Sequence, residues 1–164
     1  ALCMRRAIPS ARVIGADFCL PMLRVAARKG LRPLVIADGM CLPFATGSFD
    51  AVTVAFGLRN MASWSAAVSE MSRVLKPGGH LLVMDFSMPR PPLAAIYRFY
   101  LHRVLPLAAG AITGNRKGYE YLGESIESFP SGPEMCALIT RNGLREARAL
   151  PLAAGIVSIY TAGK

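Results

Sequence analysis

Short apolar runs alternate with amphipathic stretches along most of this 164-residue chain. The runs at 12–16, 33–37, 51–56 and 80–86 are bounded by Gly, Pro or Asp and predict strands. Near-continuous apolarity, as in Leu81-Leu82-Val83-Met84, predicts parallel strands covered on both faces. Helical patterns lie between them. One spans 20–29, with Pro21 in its first turn and Gly30 as its stop. The next opens on Ser63 as N-cap and places Trp64, Ala67, Val68, Met71, Val74 and Leu75 on one face, with Lys76-Pro77-Gly78 ending it. Residues 1–7 read as the end of a further helix. Such alternation predicts a doubly wound α/β sheet.

The rhythm changes after Ser87. Met88-Pro89-Arg90-Pro91-Pro92 cannot continue a strand, and 93–105 then reads as an amphipathic helix carrying Tyr97, Phe99 and Tyr100. Residues 106–118 read as a loop and 119–128 as a helix whose Glu120, Glu124 and Glu127 share one solvated face. A helix over 134–142 is stopped by Gly143. The strands at 144–150 and 155–161, with only 151–154 between them, predict an antiparallel hairpin. The expected organisation is one domain over 1–164, with a lid or acceptor-binding insertion at about 88–130.

Composition narrows the classes. A 53% hydrophobic and 18% charged chain is not a disordered tail. Nineteen basic against ten acidic residues give +9. The basic residues are scattered, without a lysine tract or an aromatic-interleaved stripe, so no nucleic-acid partner is expected. An anionic membrane surface suits the charge better, and a merely solvated basic face suits it too. The longest apolar stretch, 104–113, is broken by Pro106 and Gly110 and is short of the ~20 residues a membrane span needs. Cys3, Cys19, Cys41 and Cys136 make no C-x-x-C pair and no zinc spacing with His80 or His102, so no metal is expected. Scattered thiols are read as small core residues of a protein from a reducing compartment, cytoplasmic or peripheral at the inner face of the membrane.

Several residues are placed for chemistry. Asp17 follows the first strand and Asp38-Gly39 the second, where open α/β sheets bind ligands. A carboxylate at Asp17 suits the two hydroxyls of a ribose; one at Asp38 suits an adenine amino group, with Gly39 allowing close backbone approach. The plainer alternative for both is a turn or N-cap acid. Arg59-Asn60 follows a strand and precedes the Ser63 cap, on the ligand rim. Arginine brings a rigid fork of donors and asparagine a donor and an acceptor; an arginine packed over the sheet edge is the alternative. Asp50 is read as structural and His80 as solvated. His102 faces either an acceptor pocket or ordinary structure, and Asp85, near the end of a buried strand, must be paired.

Taken in order, Asp38-x-x-x-Leu42-Pro43-Phe44, Ser48-Phe49-Asp50, Phe56-Gly57-Leu58-Arg59-Asn60, Arg73-Val74-Leu75-Lys76-Pro77-Gly78-Gly79, Asp85-Phe86-Ser87-x-Pro89 and Tyr119-x-Tyr121-Leu122-x-x-Ser125-Ile126-x-x-Phe129-Pro130 resemble the UbiE-type C-methyltransferases of menaquinone and ubiquinone biosynthesis. The match runs from about Val13 to Gly155-Ile156-Val157. Lys-Pro-Gly-Gly is common to many methyltransferases; Phe-Gly-Leu-Arg-Asn with the Tyr-x-Tyr-Leu…Phe-Pro block is specific.

The resemblance implies a Rossmann-like class I methyltransferase sheet, mostly parallel with a C-terminal antiparallel hairpin, and S-adenosylmethionine as methyl donor. It puts cofactor contacts at Asp17, Asp38, Gly39 and Ala55, and catalytic positions toward a quinone ring at Arg59 and Asn60. It makes Tyr97, Tyr100, Tyr119, Tyr121, Ser125 and Phe129 a greasy lid over a prenylated quinol, methylated at a ring carbon. It also implies a first strand and a Gly-rich loop just ahead of Ala1, without which the chain alone is expected to be weakly active or inactive. Peripheral membrane contact and a homodimer are both compatible with it. The rival readings are a methyltransferase for another small lipophilic acceptor, a non-catalytic binding module, and an NAD-dependent oxidoreductase, against which the Phe-Gly-Leu-Arg-Asn and Lys-Pro-Gly-Gly elements stand.

Overall fold

Strands and helices alternate as the apolar pattern requires, but the strands assemble into two sheets rather than one. The computed structural model describes residues 2–113 and 116–164, the backbone alone at 110–113. Helix α1 (Leu2–Ala7) leads to β1 (Gly15–Asp17), α2 (Leu20–Arg28) and β2 (Leu34–Ile36), and β1 and β2 pair in parallel with Asp17 opposite Ile36. The second sheet has the order β3-β4-β6-β5, built from β3 (Phe49–Ala55), β4 (Leu75–Phe86), β5 (Arg145–Leu152) and β6 (Val157–Gly163). Strand β3 is parallel to β4, and β6 is antiparallel to both of its neighbours. The expected parallel pairs and closing hairpin are therefore present. Among the described residues no ladder joins β1 to β3, so each keeps one edge without a strand partner.

The core forms where α3 (Trp64–Val74) and α7 (Pro133–Arg141) cover the larger sheet. Ser63 caps α3, its Oγ accepting the Ala66 N–H at 3.2 Å. Ala67, Val68, Met71 and Val74 are buried, the face that helical spacing predicts. They meet Leu81, Val83 and Tyr160 from the sheet and Met135 and Ile139 from α7. At the other end of α3 the Lys164 ammonium donates to the carbonyls of Ser72 (2.6 Å), Arg73 (3.3 Å) and Leu75 (2.8 Å), satisfying groups a helix end leaves open.

Three local expectations are corrected. Lys76-Pro77-Gly78-Gly79 is not a turn ahead of a strand but lies within β4. Phe49 is opposite Leu75 and Ala51 opposite His80, so the four residues 76–79 bulge from the ladder. Gly78 takes φ +78°, and a Cβ on Gly79 would stand 2.9 Å from Lys76 O and 3.1 Å from Asp50 O.

The second correction concerns 106–118, read as a loop; its part at 114–115 lies outside the described residues. Helix α4 (Leu93–Phe99) instead continues through a π-helical segment (Tyr100–Val104) into α5 (Leu105–Thr113), and α6 begins at Arg116 (Arg116–Ser128). The Leu105 N–H reaches Tyr100 O, the wide spacing of a π-turn, immediately before Pro106. Pro106 thus falls in the first turn of the renewed α-helix, where a missing N–H costs least.

The third concerns the cysteines. Cys3, Cys19 and Cys41 are exposed and Cys136 is only partly buried. Cys19 stands at the α2 cap and Cys41 in a turn, positions chosen by backbone geometry rather than by apolarity. No helix among the described residues is long and apolar enough to cross a membrane.

Candidate functional site

The site is anchored by a buried ion pair. Asp85, at the C-terminal end of β4, is completely enclosed. Its Oδ2 accepts the Arg59 N–H at 3.3 Å and its Oδ1 the Phe86 N–H at 2.9 Å. The Arg59 Nε lies 3.4 Å from the same Oδ1, close enough for an ion pair but not aligned as a hydrogen bond, so this nitrogen has no hydrogen-bond acceptor among the described residues. The guanidinium carbon also sits 5.5 Å from the centre of the Phe86 ring. Burial pushes the Asp85 carboxyl above its usual range, ahead of the opposing pull of the Phe86 and Arg59 backbone donors and the Arg59 charge. Both sequence readings of Arg59 thus meet in one residue: the side chain is packed and paired, and its outer end still reaches a cleft.

The loop carrying this arginine is tightly determined. Phe56 adopts φ +55°, unusual for a bulky residue, and is held there by its N–H bond to Met84 O (2.8 Å) and its ring contact with Phe86 (4.9 Å). A 3-10 turn follows at Leu58–Asn60, with Leu58 fully buried. Arg59 Nη1 donates to Asn60 Oδ1 at 2.6 Å, and Trp64 Nε1 donates to Arg59 O at 3.4 Å. Asn60 is exposed, and with its oxygen occupied its amide nitrogen is left as a donor.

Two clefts lie near this loop. The smaller, about 330 Å³, is lined by Arg59, Asn60, Gly118, Tyr119, Tyr121 and Leu122. The larger, about 620 Å³, is almost wholly apolar, with Phe86, Tyr97, Tyr100, Leu101 and Ile126 among its walls. Leu122 belongs to both. A cleft of mixed polar and apolar lining thus lies on one side of Leu122 and a greasy one on the other, a form that suits a polar head with an apolar extension. Tyr97 is buried, its hydroxyl pushed toward a higher pKa by desolvation and then by Tyr100, whose ring stacks on it at 6.3 Å.

The remaining candidates fall elsewhere. Ser125 is buried in α6, its Oγ donating to Leu122 O at 2.9 Å, and lines neither cleft. Phe129 is buried in the main core with its ring 5.4 Å from Trp64, whose indole N–H bonds Arg59 O, and it lines neither cleft. His102 pairs on the surface with Glu127 (2.8 Å), which Arg98 also grips. Glu127 is accordingly held below the usual carboxylate range, by His102 first and then by Arg98. The glutamate row is therefore partly an ion-pair seam, with Glu120 held by Arg116 at 2.8 Å. Cleft-lining Leu93, Leu101, Leu105 and Ile156 were not singled out in the sequence; the 97, 101, 105 spacing on one helix face was the available signal.

At the smaller sheet, Asp17 Oδ1 accepts the Cys19 N–H (2.8 Å) and Asp38 Oδ1 the Met40 N–H (2.9 Å). Both acids make the local turn of the plainer reading. Each leaves its second carboxylate oxygen without a protein donor among the described residues, at the carboxyl ends of adjacent parallel strands. Such a pair fits the hydroxyl and amino donors of an adenosyl group. A Cβ at Gly39 would collide with Met61 Cε at 2.5 Å, so the bare α-carbon is covered by a thioether. Ala55 ends β3, exposed beside Phe56.

Two of the sequence motifs lock each other. Arg73 is bidentate to Glu70 at 2.7 Å for both contacts and donates to Leu42 O (3.2 Å), while Glu70 Oε1 accepts the Leu42 N–H at 2.7 Å. These bonds pin the loop after Asp38 to α3.

Comparison with known proteins places the chain in a family. The chain is 44% identical over 168 residues to a protein named demethylmenaquinone methyltransferase from Thermus thermophilus, a match covering 98% of the chain and 75% of the relative. It is 41% identical to one named ubiquinone/menaquinone biosynthesis C-methyltransferase UbiE from Syntrophotalea carbinolica, covering 98% and 70%. Across such relatives the chain spans between 66% and 75% of their length. A solved SAM-dependent methyltransferase from Thermotoga maritima shares the fold at TM-score 0.69 and 20% identity, covering 98% of this chain and 77% of that one. The ubiE/COQ5 methyltransferase family model matches residues 2–164, and the chain belongs to that family of enzymes, whose methyl donor is S-adenosylmethionine.

Proposed function

We propose that the protein methylates a ring carbon of a prenylated hydroquinone, demethylmenaquinol being the preferred acceptor. The observation that carries this reading is the junction at Leu122 between the Arg59–Asn60–Tyr119–Tyr121 vestibule and the apolar cleft. A quinol ring with its two hydroxyls suits the first, and an isoprenoid tail suits the second. The names carried by the relatives favour the naphthoquinone.

Asp17 and Asp38 would hold the adenosyl part of S-adenosylmethionine, which supplies an electrophilic methyl group when bound. The Arg59 charge favours ionisation of a quinol hydroxyl, which makes the neighbouring ring carbon nucleophilic. The Asn60 amide nitrogen fixes the ring, and the walls of the larger cleft exclude water from the tail. Helices α4 to α6 act as the lid of the acceptor site.

The test is transfer of radiolabelled methyl from S-adenosylmethionine to reduced, short-tailed demethylmenaquinone, read in the extracted lipid so that even a single turnover registers. Label in the quinol fraction, absent when a tail-less phenol is offered, is the expected result. Label in the phenol but not in the prenylated quinol would reject the acceptor assignment.

A further inference from the structure

The long helix over the apolar cleft has a second apolar face that none of the described residues covers. Ile96 (65% exposed), Tyr100 (43%) and Val104 (43%) follow one another at i, i+4 and i+8, with Phe99 (63%) and Leu107 (60%) beside them. The opposite face, with Tyr97 and Leu101, is buried against α6. A helix so apolar on its solvent side needs an occupant for that side.

Charge identifies the occupant. Between Asp85 and Glu120 the sequence contains no acidic residue and five basic ones, Arg90, Arg98, Arg103, Arg116 and Lys117. Arg98 and Arg116 are paired with Glu127 and Glu120. Arg90 and Arg103 are exposed and make no ion pair among the described residues. Arginine beside exposed aromatic and aliphatic side chains on one helix is the pattern of an interfacial helix lying in the head-group region of an anionic bilayer. A second copy of the chain would press the same unbalanced cations together. Ile96 and Tyr100 belong both to this face and to the wall of the 620 Å³ cleft, so the surface runs without interruption into the cavity.

We propose that the solvent face of the α4–π–α5 helix is a docking surface for an anionic lipid bilayer, seated through Phe99, Val104 and Leu107 and steered by Arg90 and Arg103. Docked in this way, the cleft mouth opens at the level of the acyl chains, and an apolar ligand enters without crossing water. The proposal stands on the helix surface and holds whatever the acceptor is.

Sedimentation with phosphatidylcholine vesicles containing about one quarter phosphatidylglycerol tests it, using the wild type, F99S/L107S and F99W. Phe99 and Leu107 line neither cleft, and both are exposed, so folding is checked by an unchanged thermal transition. The expected result is binding to the anionic vesicles, at least tenfold weaker to pure phosphatidylcholine and at least tenfold weaker for F99S/L107S. The F99W emission shifts to the blue on anionic vesicles only. Equal binding by wild type and F99S/L107S, absence of the emission shift, or a concentration-dependent dimer abolished by F99S/L107S would each overturn the proposal.

Discussion

Replacing Arg59 with methionine is expected to destabilise the protein by about 3–5 kcal/mol near neutral pH, the usual cost of leaving a buried charge without its partner. Asp85 has no exposed atom through which water could compensate. Burial already holds its carboxyl above the ordinary value, against the backbone donors and Arg59. A carboxyl whose pKa is raised on folding binds its proton more tightly in the native state. Its contribution is fully present below the unfolded value of 3.8 and is lost as pH rises through the folded one. Removing Arg59 raises the folded value further, so the deficit of R59M grows toward neutral pH and shrinks toward about pH 4. The double variant R59M/D85L removes both charges and is expected to regain most of the loss. Urea unfolding of the three proteins at two pH values checks this. A deficit in R59M that is below about 1 kcal/mol and independent of pH would show that the pair is not what holds the loop.

The second large effect is expected at Leu122, the side chain common to both clefts. An aspartate there puts a carboxylate where ring and tail of the acceptor would join, and its desolvation opposes entry of an apolar chain. Displacing one five-carbon isoprenoid unit from the cleft forfeits on the order of 3 kcal/mol of burial, roughly 100-fold in kcat/KM for a tailed quinol. A tail-less quinol forfeits none of that and is expected to lose less than about tenfold. The comparison of the two acceptors separates a blocked cleft from a damaged enzyme. Equal losses for both would place the effect on folding or on the cofactor side, and the reading of Leu122 as a junction would fall.

What the sequence shows and what it hides divide along a physical line. Relations within one element are legible from spacing: the Ser63 cap, the buried face of α3 and the closing hairpin. Relations that depend on register between elements are not. Asp85 was visible as a costly acid needing a partner, but only the parallel alignment of β3 and β4 brings it under Arg59. Phe129 and Ser125 sit in a family-specific block beside Tyr119 and Tyr121, yet a helix sends those tyrosines toward the vestibule and turns Ser125 inward. Pro106 reads as a breaker until the π-turn before it is seen. Phe99, on the same helix as the lid residues Tyr97 and Tyr100, faces solvent. Asp17 and Asp38 were placed by a topological rule about strand ends, which needs no side-chain detail and so carries over intact to their positions in β1 and after β2.

Those two acids carry the central claim, that the carboxyl ends of β1 and β2 hold the adenosyl group of the methyl donor. Calorimetric titration of S-adenosylhomocysteine into the wild type, D17N and D38N measures it most directly, because an asparagine keeps the turn acceptor at each position and removes only the charge. Saturable 1:1 binding to the wild type is expected, weakened by roughly 10- to 100-fold in each variant, the worth of a charge-assisted hydrogen bond, with thermal stability unchanged. Equal affinity in all three proteins would contradict it.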